Sequence, residues 1–294
     1  MTTPDLLALF EARRPFLTGL AYRLLGSVAE AEDAVQDTYI KWSQADHASV
    51  QHPAAWLTTV CTRHCIDLLR TAQQTRVDYV GAWLPEPIQA TTEDDPAQTL
   101  ALSSSLSMAF LLLLERLAPK ERAAYLLYEV FEQPYAEVAR VLDLQETACR
   151  KLVSRARLHV GRANTAQAPV PPARQQYLLD AFQTAIASGE VGPLARMMAE
   201  DVALRADGGG KVQTLLEPLL GKHAVLDFIR ERLGLYWRHY DWTQVTLNGV
   251  RGVVLCEHTQ IQAAVSFACN AEGQLTDIFI VRNPDKLARL AGGG

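Results

Sequence analysis

The sequence has no run of about eighteen apolar residues, the length that a helix needs to cross a bilayer. The stretch from Met1 to Glu11 contains Asp5 and Glu11, where a secretory signal would carry a basic segment followed by an apolar one. The five cysteines show no regular spacing, which favours reduced thiols over a disulfide framework. Together these features predict a cytoplasmic protein without a membrane partner.

The chain also lacks an excess of positive charge, because 28 Lys and Arg stand against 33 Asp and Glu, for a net charge of −5. A domain that binds nucleic acid without sequence preference is normally strongly basic, so the balance argues against that class. Charge is nevertheless segregated, since residues 150–162 contain five basic residues and no acid. This segregation leaves room for a local reader of DNA, and the acidic remainder points to a positively charged protein partner.

A helix-turn-helix pattern spans residues 134–160. Its first segment has apolar residues at helical spacing, and the polar residues 143–146 separate it from the second segment. The second segment has an apolar side formed by Cys149, Leu152, Val153, Ala156 and Val160. Its opposite side carries groups that can reach base edges and phosphates: Thr147, Arg150, Lys151, Ser154 and Arg155. The pattern indicates either a DNA-reading helix or a solvated basic helix in a bundle.

An acidic stripe follows a predicted helix boundary. Gly26 ends one apolar helix, and Ser27 with Glu30 forms a capping-box signature for the next helix. Glu30, Asp33 and Asp37 then recur on one face of that helix, opposite its apolar side. The stripe is either an ordinary solvated face or the surface that meets a basic partner.

A third helix is predicted from Pro53 to about Arg70. Thr59, Arg63 and Arg70 lie on its polar side, where two guanidinium groups could follow a phosphate backbone. The apolar side includes Cys61, His64 and Cys65. These three residues either bind a metal or pack in a core, and the apolar residues around them favour packing.

The last third of the chain changes character. Helices are predicted at residues 177–187, 193–198 and 224–235, and strands at residues 202–206, 211–215, 243–247, 252–257, 261–268 and 275–281. Helices followed by a run of strands predict an α+β domain with a curved antiparallel sheet. The Pro-rich residues 164–174 read as an extended linker before this domain, and residues 175–294 as the domain itself.

The order of these segments resembles the extracytoplasmic-function sigma factors of bacteria. The resemblance covers residues 5–163 and rests on Tyr22-Arg23-Leu24-Leu25-Gly26-Ser27, Ala31-Glu32-Asp33-Ala34-Val35-Gln36-Asp37-Thr38, Ala55-Trp56-Leu57, Ile66-Asp67-Leu68-Leu69-Arg70 and Ser154-Arg155-Ala156-Arg157. It implies two helical domains: sigma region two at residues 1–77, which grips core RNA polymerase and opens promoter DNA, and region four at residues 104–163, which reads the upstream promoter element. Residues 78–103 would link them.

Three further motifs resemble the signature of the subgroup with a fused SnoaL-like C-terminal domain. They are Trp83-Leu84-Pro85-Glu86-Pro87, Asp207-Gly208-Gly209-Gly210-Lys211 and Asn283-Pro284-Asp285-Lys286-Leu287. The resemblance implies a cone of the SnoaL and ketosteroid-isomerase type that contacts the sigma regions and regulates them in cis. The apolar linker motif is expected either to fill a groove on another domain or to pack on nearby helices. The glycine-rich motif lacks the Gly-Lys-Ser/Thr step of a phosphate loop, so we expect a hairpin tip that approaches another domain closely.

Two function classes follow from these observations. The first is a promoter-specific initiation factor with core RNA polymerase and promoter DNA as partners, and with no catalytic, cofactor or metal site. The second is a SnoaL-like cyclase or isomerase attached to a helical DNA-binding module. Catalysis would need an acid and a base inside the cone, and the candidates by residue type are Asp241, His223, His239 and His258. Five aromatic residues would either line a ligand pocket or form core: Trp237, Tyr240, Trp242, Phe267 and Phe279.

Overall fold

A computed structural model describes residues 3–75, 79–89, 104–164 and 170–291. The chain divides into two compact units. One unit joins Met1–Asp78 to Leu113–Arg162, and the other joins Tyr79–Leu112 to Ala163–Gly294. Both sigma-like segments therefore belong to a single helical unit, and the segment after the first of them belongs with the C-terminal domain.

The first unit is helical. It contains α1 (Thr3–Leu25), α2 (Val28–Ser43), α3 (Pro53–Thr75), α5 (Pro119–Tyr125) with a π-helical extension (Leu126–Val130), α6 (Tyr135–Leu142) and α7 (Glu146–Asn164). A 3-10 turn (Ser104–Leu106) and α4 (Met108–Leu114) precede α5, and the division between units falls within α4. None of the helices in the described residues is long and apolar enough to span a membrane.

Local sequence signals fix the junction between α1 and α2. Gly26 has a φ of +73°, the left-handed conformation that commonly ends a helix. Ser27 then caps α2, because its side-chain oxygen accepts a hydrogen bond from the backbone N–H of Glu30 at 3.3 Å. The predicted boundary is confirmed, and the predicted apolar side of α2 is buried together with Trp42.

The helix-turn-helix is confirmed at the predicted place. Asp143 ends α6 with a φ of +54°, which turns the chain before α7 begins at Glu146. The inner side of α7 is formed as expected, with Cys149, Val153, Ala156 and Val160 buried and Leu152 half-buried. This burial holds the basic side of α7 toward solvent.

The second unit is a helix-plus-sheet domain. Its elements are α8 (Pro172–Ser188), α9 (Gly192–Met197), β1 (Met198–Asp207), β2 (Leu219–Leu220), α10 (Lys222–Phe228) with a π-helical extension (Ile229–Leu233), α11 (Gly234–Trp237), β3 (Asp241–Leu247), β4 (Val250–Glu257), β5 (Gln260–Cys269), β6 (Leu275–Val281) and α12 (Pro284–Leu287). The six strands form one sheet in the order β2-β1-β6-β5-β4-β3.

The second unit corrects three expectations. Its sheet is mixed rather than antiparallel, because β6 returns beside β1 in the same direction after the hairpins of β3–β6. Residues 211–215 are not a strand, since Gly209 and Gly210 turn the chain with positive φ and Lys211 pairs with Asp285. Pro172 begins α8, so the end of the predicted extended linker is helical; proline suits the first helical position, where its missing N–H costs no hydrogen bond.

Both faces of the sheet are apolar, as alternating residues of β4 demonstrate. Val253 and Leu255 pack with the helices α8–α11, whereas Val254 and Cys256 pack into a second cluster on the opposite face. That second cluster contains Leu84 from the linker motif, Met108 from the start of α4, and also Leu287 and Leu290. The apolar linker motif therefore covers a sheet face that solvent would otherwise reach.

Candidate functional site

The basic side of α7 forms an exposed surface. Its predicted members are all exposed: Thr147, Arg150, Lys151, Ser154 and Arg155. Arg150 lies 4.3 Å above the ring of Tyr135 and 3.5 Å from Glu146, and Arg155 lies 3.6 Å from Glu121. In the part of the chain that the structure describes, Lys151 forms no ion pair within 4 Å. The surface combines two partly neutralised guanidinium groups with one unpaired ammonium group, a composition suited to polyanions.

The acidic stripe of α2 is exposed at Glu30, Asp33 and Asp37. Asp37 also meets a second helix, because its Oδ2 lies 3.0 Å from Nε2 of His64 on α3. This contact fixes the place of one carboxylate while leaving about half of its side chain, 53%, accessible. The stripe is thus an exposed row of carboxylates on the first unit, one of which contacts α3.

The polar side of α3 is arranged differently at each predicted residue. Thr59 donates its hydroxyl hydrogen to the carbonyl oxygen of Ala55, and Arg70 pairs with Asp67 within the helix. Arg63 instead reaches the end of α6, where its Nε donates to the carbonyl oxygen of Val141 at 2.8 Å. Arg63 remains largely exposed, so one predicted DNA contact already has a protein partner.

The cysteines of α3 pack in the core, as the apolar neighbours predicted. Cys61 and Cys65 are both fully buried and free. The hydrogen bond with Cys61 and, to a smaller extent, burial raise the pKa of the Cys65 thiol well above its ordinary value. His64 turns to Asp37 instead of joining the two thiols. Within the described residues, no group of three or more His, Cys, Asp and Glu is placed to hold a metal ion.

The three motifs of the fused-domain subgroup converge on one buried carboxylate. Asp207, at the end of β1, has no exposed surface, and its Oδ2 lies 2.7 Å from Nζ of Lys286 on α12. The same Oδ2 accepts a hydrogen bond from the backbone N–H of Leu84 at 2.9 Å, while Oδ1 accepts from the N–H of Gly209. One charge therefore joins the linker, the glycine-rich turn and the end of the chain.

Tyr79 and Lys286 extend this network. The Tyr79 hydroxyl donates to Oδ1 of Asp207 at 2.5 Å and accepts from Nδ2 of Asn283 at 3.1 Å. Burial and the hydrogen bond to Asp207 raise the pKa of the Tyr79 phenol well above its ordinary value, so it stays protonated and donates. Lys286 donates to the carbonyl oxygen of Leu84 at 2.5 Å, and its ammonium lies 4.4 Å from the centre of the Trp83 ring.

The glycine-rich turn is approached closely by other segments of the second unit, whereas the sequence predicted an approach to another domain. Gly209 and Gly210 have φ values of +62° and +70°. A Cβ on Gly209 would lie 2.3 Å from Nδ2 of Asn283, and one on Gly210 would lie 3.2 Å from Cβ of Val80. The close neighbours of these two glycines belong to the linker and to the end of the chain.

The remaining members of the motifs have separate environments within the second unit. Pro85 and Pro87 are buried, and Glu86 is buried with Arg289 at 3.7 Å. Lys211 pairs with Asp285 at 2.6 Å on the surface. Gly208 is buried, Pro284 occupies the first position of α12, and Leu287 packs in the second sheet cluster.

The candidates for catalysis in the second unit do not converge. Asp241, His223, His239 and His258 are all exposed, so none of them lies inside the domain. Of the five aromatic residues, Trp237 and Phe279 are buried, whereas Tyr240, Trp242 and Phe267 are partly buried and pack against the cluster on the side of helices α8–α11. The ring of Phe182 on α8 lies 5.3 Å from that of Phe267.

Comparison with known proteins identifies the family. The model of sigma-70 region 2 matches residues 9–75, and the model of sigma-70 region 4 matches residues 107–160. The ECF RNA polymerase sigma factor SigJ of Mycobacterium tuberculosis is 33% identical over 293 residues, in an alignment that covers 94% of this chain and 91% of SigJ. This chain belongs to the family of extracytoplasmic function sigma factors.

A solved structure and a second relative are similar over most of this chain. The crystal structure of M. tuberculosis SigJ is similar with a TM-score of 0.74 and 32% identity, and the match covers 96% of this chain and 98% of that one. SigI of the same species is 30% identical over 249 residues, which covers 77% of this chain and 85% of SigI. The similarity to SigJ includes the C-terminal helix-plus-sheet domain.

Family and structure together assign the elements of this sigma factor. Helices α1–α3 carry the region-two match, and α4–α7 carry the region-four match. Sequence reasoning found the basic side of α7 and the acidic stripe of α2, but missed Glu121, Tyr79 and Arg122. Glu121 partners Arg155, Tyr79 joins the buried network, and Arg122 is almost completely buried. Arginine is rarely buried, so the burial of Arg122 is the one unusual feature among these three residues. Burial is not visible in a single sequence, so no sequence signal pointed to it.

Proposed function

We propose that this sigma factor binds core RNA polymerase and directs promoter-specific initiation, with its C-terminal domain modulating that activity in cis. The single observation that carries the proposal is the exposed basic side of α7, built on a helix-turn-helix inside a region-four match. Run-off transcription with core polymerase and a genomic promoter library tests it. Transcripts that start at defined promoters only when the sigma factor is present are the expected result.

The acidic stripe of α2 is the proposed contact with polymerase. Glu30, Asp33 and Asp37 present carboxylates on one helical face, and such a row attracts a basic protein surface. Thr59, Arg63 and Arg70 on α3, together with the basic side of α7, are the proposed contacts with promoter DNA. The acidic stripe is thus assigned to polymerase, and the basic surfaces of α3 and α7 are assigned to DNA.

Reversing two charges of the stripe is expected to weaken polymerase binding. Asp33→Lys with Asp37→Lys converts attraction to repulsion, and we expect a loss of at least about tenfold in affinity at moderate salt. Fluorescence anisotropy with core polymerase measures it. The control is Glu217→Lys with Glu272→Lys, which changes the net charge equally at exposed residues of the second unit. Equal affinities of the two double variants would remove the stripe from the interface.

The regulatory role of the C-terminal domain is argued from chain connectivity. Residues 79–89 follow region two directly, and the buried network fastens them to the C-terminal domain. Only residues 90–103 then remain between that anchored segment and the start of region four. We propose that this anchoring, together with contacts of the domain with regions two and four, sets how far the two DNA-binding regions can separate, and therefore sets transcriptional output.

Variants within the network test this role in the full-length protein. Gly209→Val places a side chain against Asn283, and Trp83→Ala removes the ring beside the Lys286 ammonium. We expect each change to alter the amount of run-off transcript at least about threefold, because a free-energy bias of about 1.4 kcal/mol shifts a two-state ratio tenfold. The promoters used should stay the same. Transcript amounts equal to those of the intact protein would make the domain a passenger.

We also propose that the C-terminal domain acts without catalysis of its own. The exposed positions of Asp241, His223, His239 and His258 support this, because general acid–base catalysis needs such groups beside a bound substrate. Replacing all four residues by Asn tests it. We expect the quadruple variant and the intact protein to give the same amount of transcript, both with and without added small-molecule extracts. A response to the extracts that the variant has lost would favour the cyclase or isomerase alternative.

A further inference from the structure

The side chain of Arg122 in region four contacts the end of a helix in region two. Arg122 lies on α5, and its side chain is almost completely buried. Nη1 donates to the carbonyl oxygen of Leu24 near the end of α1 at 2.5 Å, and to Oε1 of Glu115 at 2.7 Å. The last carbonyl groups of a helix lack partners within it and carry the negative end of the helix dipole. A guanidinium of region four therefore caps a helix of region two.

Arg63 makes the reciprocal contact. It lies on α3 of region two, and its guanidinium donates to two carbonyl oxygens at the end of α6, those of Val141 at 2.8 Å and Arg140 at 3.2 Å. A guanidinium of region two therefore caps the first helix of the helix-turn-helix. Each region supplies one arginine to a helix end of the other, 77 to 98 residues away in sequence.

An aromatic contact accompanies this exchange. The ring of Phe16 on α1 lies 4.8 Å from that of Phe131, which follows α5 in region four, in an edge-on arrangement. Arg13 stacks on Phe16 at 3.6 Å, and Arg23 lies 5.5 Å from the centre of the Phe131 ring. Cationic side chains thus take part in the contact between the two regions, and cations are the groups that a polyanion attracts.

The two arginines differ in their access to such a competitor. Arg122 is buried, whereas Arg63 is largely exposed and lies on the side of α3 that also carries Arg70. A phosphodiester group bears a full negative charge shared by its two non-bridging oxygens, and a guanidinium can bind both oxygens at once, so the group attracts Arg63 more strongly than a neutral carbonyl oxygen does. DNA approaching α3 can therefore take Arg63 from the end of α6.

We propose that reciprocal arginine capping holds regions two and four in a closed resting state, and that promoter DNA opens it by competing for Arg63. This inference rests on the proposed function for its second half, because the competitor is the DNA that the sigma factor reads. Its first half concerns the protein alone. Opening would release α6, and with it the helix-turn-helix, only where DNA lies along α3.

Single-molecule energy transfer on the full-length protein, without polymerase, tests the closed state. Dyes are attached through Ser43→Cys in region two and His159→Cys in region four, both at exposed positions. The five natural cysteines are buried and free, so the dyes react with the two new thiols. We expect Arg63→Ala to raise the ratio of open to closed molecules about tenfold, the scale of one charged hydrogen bond. Arg63→Lys keeps the charge, so its ratio of open to closed molecules should lie between those of the intact protein and Arg63→Ala.

Two further variants separate latching from general effects. Arg14→Ala is the matched control, because Arg14 pairs with Glu11 within α1, and we expect its open-to-closed ratio to equal that of the intact protein. Arg122→Lys tests the other cap while keeping a buried cation beside Glu115, and it should also favour the open state. Circular dichroism verifies that each variant is folded. A folded Arg63→Ala protein with an unchanged ratio would overturn the latch.

The DNA arm uses a short duplex of random sequence at low salt. It should open the intact protein and shift the already open Arg63→Ala variant much less. An equal shift in both proteins, or no shift in the intact protein, would refute competition for Arg63. Run-off transcription is a separate measurement, so a sigma factor that initiates normally but shows no Arg63 effect fails this inference while leaving the proposed function intact.

Discussion

Lys286→Ala should lower the free energy of unfolding of the second unit by about 3–5 kcal/mol, the cost of removing one partner of a buried ion pair. Asp207 is completely buried, so without the ammonium its charge would remain in a region with little solvent. The N–H of Leu84, the N–H of Gly209 and the Tyr79 hydroxyl would still donate to the carboxylate, which keeps the loss within this range.

The chain offers a matched control in the same pair of motifs. Lys211 and Asp285 also form an ion pair at 2.6 Å, but both side chains are more than half exposed. Water already solvates these charges, so Lys211→Ala should cost no more than about 1 kcal/mol. Urea unfolding followed by tryptophan fluorescence measures both variants. Equal losses for the two lysines would mean that burial of the Asp207 charge is unimportant.

Lys151→Ala and Arg150→Ala are each expected to weaken specific promoter binding by about 1–3 kcal/mol if the side chain contacts a base. Lys151 has no ion-pair partner in the described residues, so its whole charge is available to DNA. Arg150 already interacts with Tyr135 and Glu146, so DNA must compete with these contacts for part of its interaction. Lys151→Ala should therefore show the larger loss of the two.

Titration of promoter DNA at several salt concentrations separates base contacts from phosphate contacts. Loss of a phosphate contact lowers the salt slope by about one and acts on every sequence, whereas loss of a base contact acts mainly on the cognate promoter. Lys222→Ala is the control, because it removes one positive charge from the second unit. If both α7 variants bind like this control, the DNA-reading surface lies elsewhere.

Local chemistry was visible in the sequence wherever neighbouring residues decide the structure. Ser27 and Glu30 are three residues apart, and their capping contact follows from that spacing. The two sides of α7 follow from helical periodicity, because a buried face and a basic face alternate every few residues. For the same reason the acidic stripe of α2 was found on an exposed face.

Contacts between distant residues were not visible. The spacing of 78 residues between Arg63 and Val141 carries no periodic signal, and the acceptor is a backbone carbonyl, which every residue has. The pairing of β1 with β6 depends on how four strands return along the sheet, so the parallel pair was missed. The three motifs of the fused-domain subgroup were recognised one by one, but only the fold brings Asp207 and Lys286 together.

The buried network also imposes an order on biosynthesis. Residues 79–89 leave the ribosome long before Asp207, and Lys286 follows Asp207 by a further 79 residues. Regions two and four can form local helices earlier, but Leu84 must wait for its sheet and Asp207 for its cation. A chain that has not yet reached Lys286 would therefore carry an uncovered apolar segment between its two DNA-binding regions and an unpaired Asp207 at the end of β1. We expect chaperones and proteases to recognise this apolar segment until Lys286 has been added and the buried network can form.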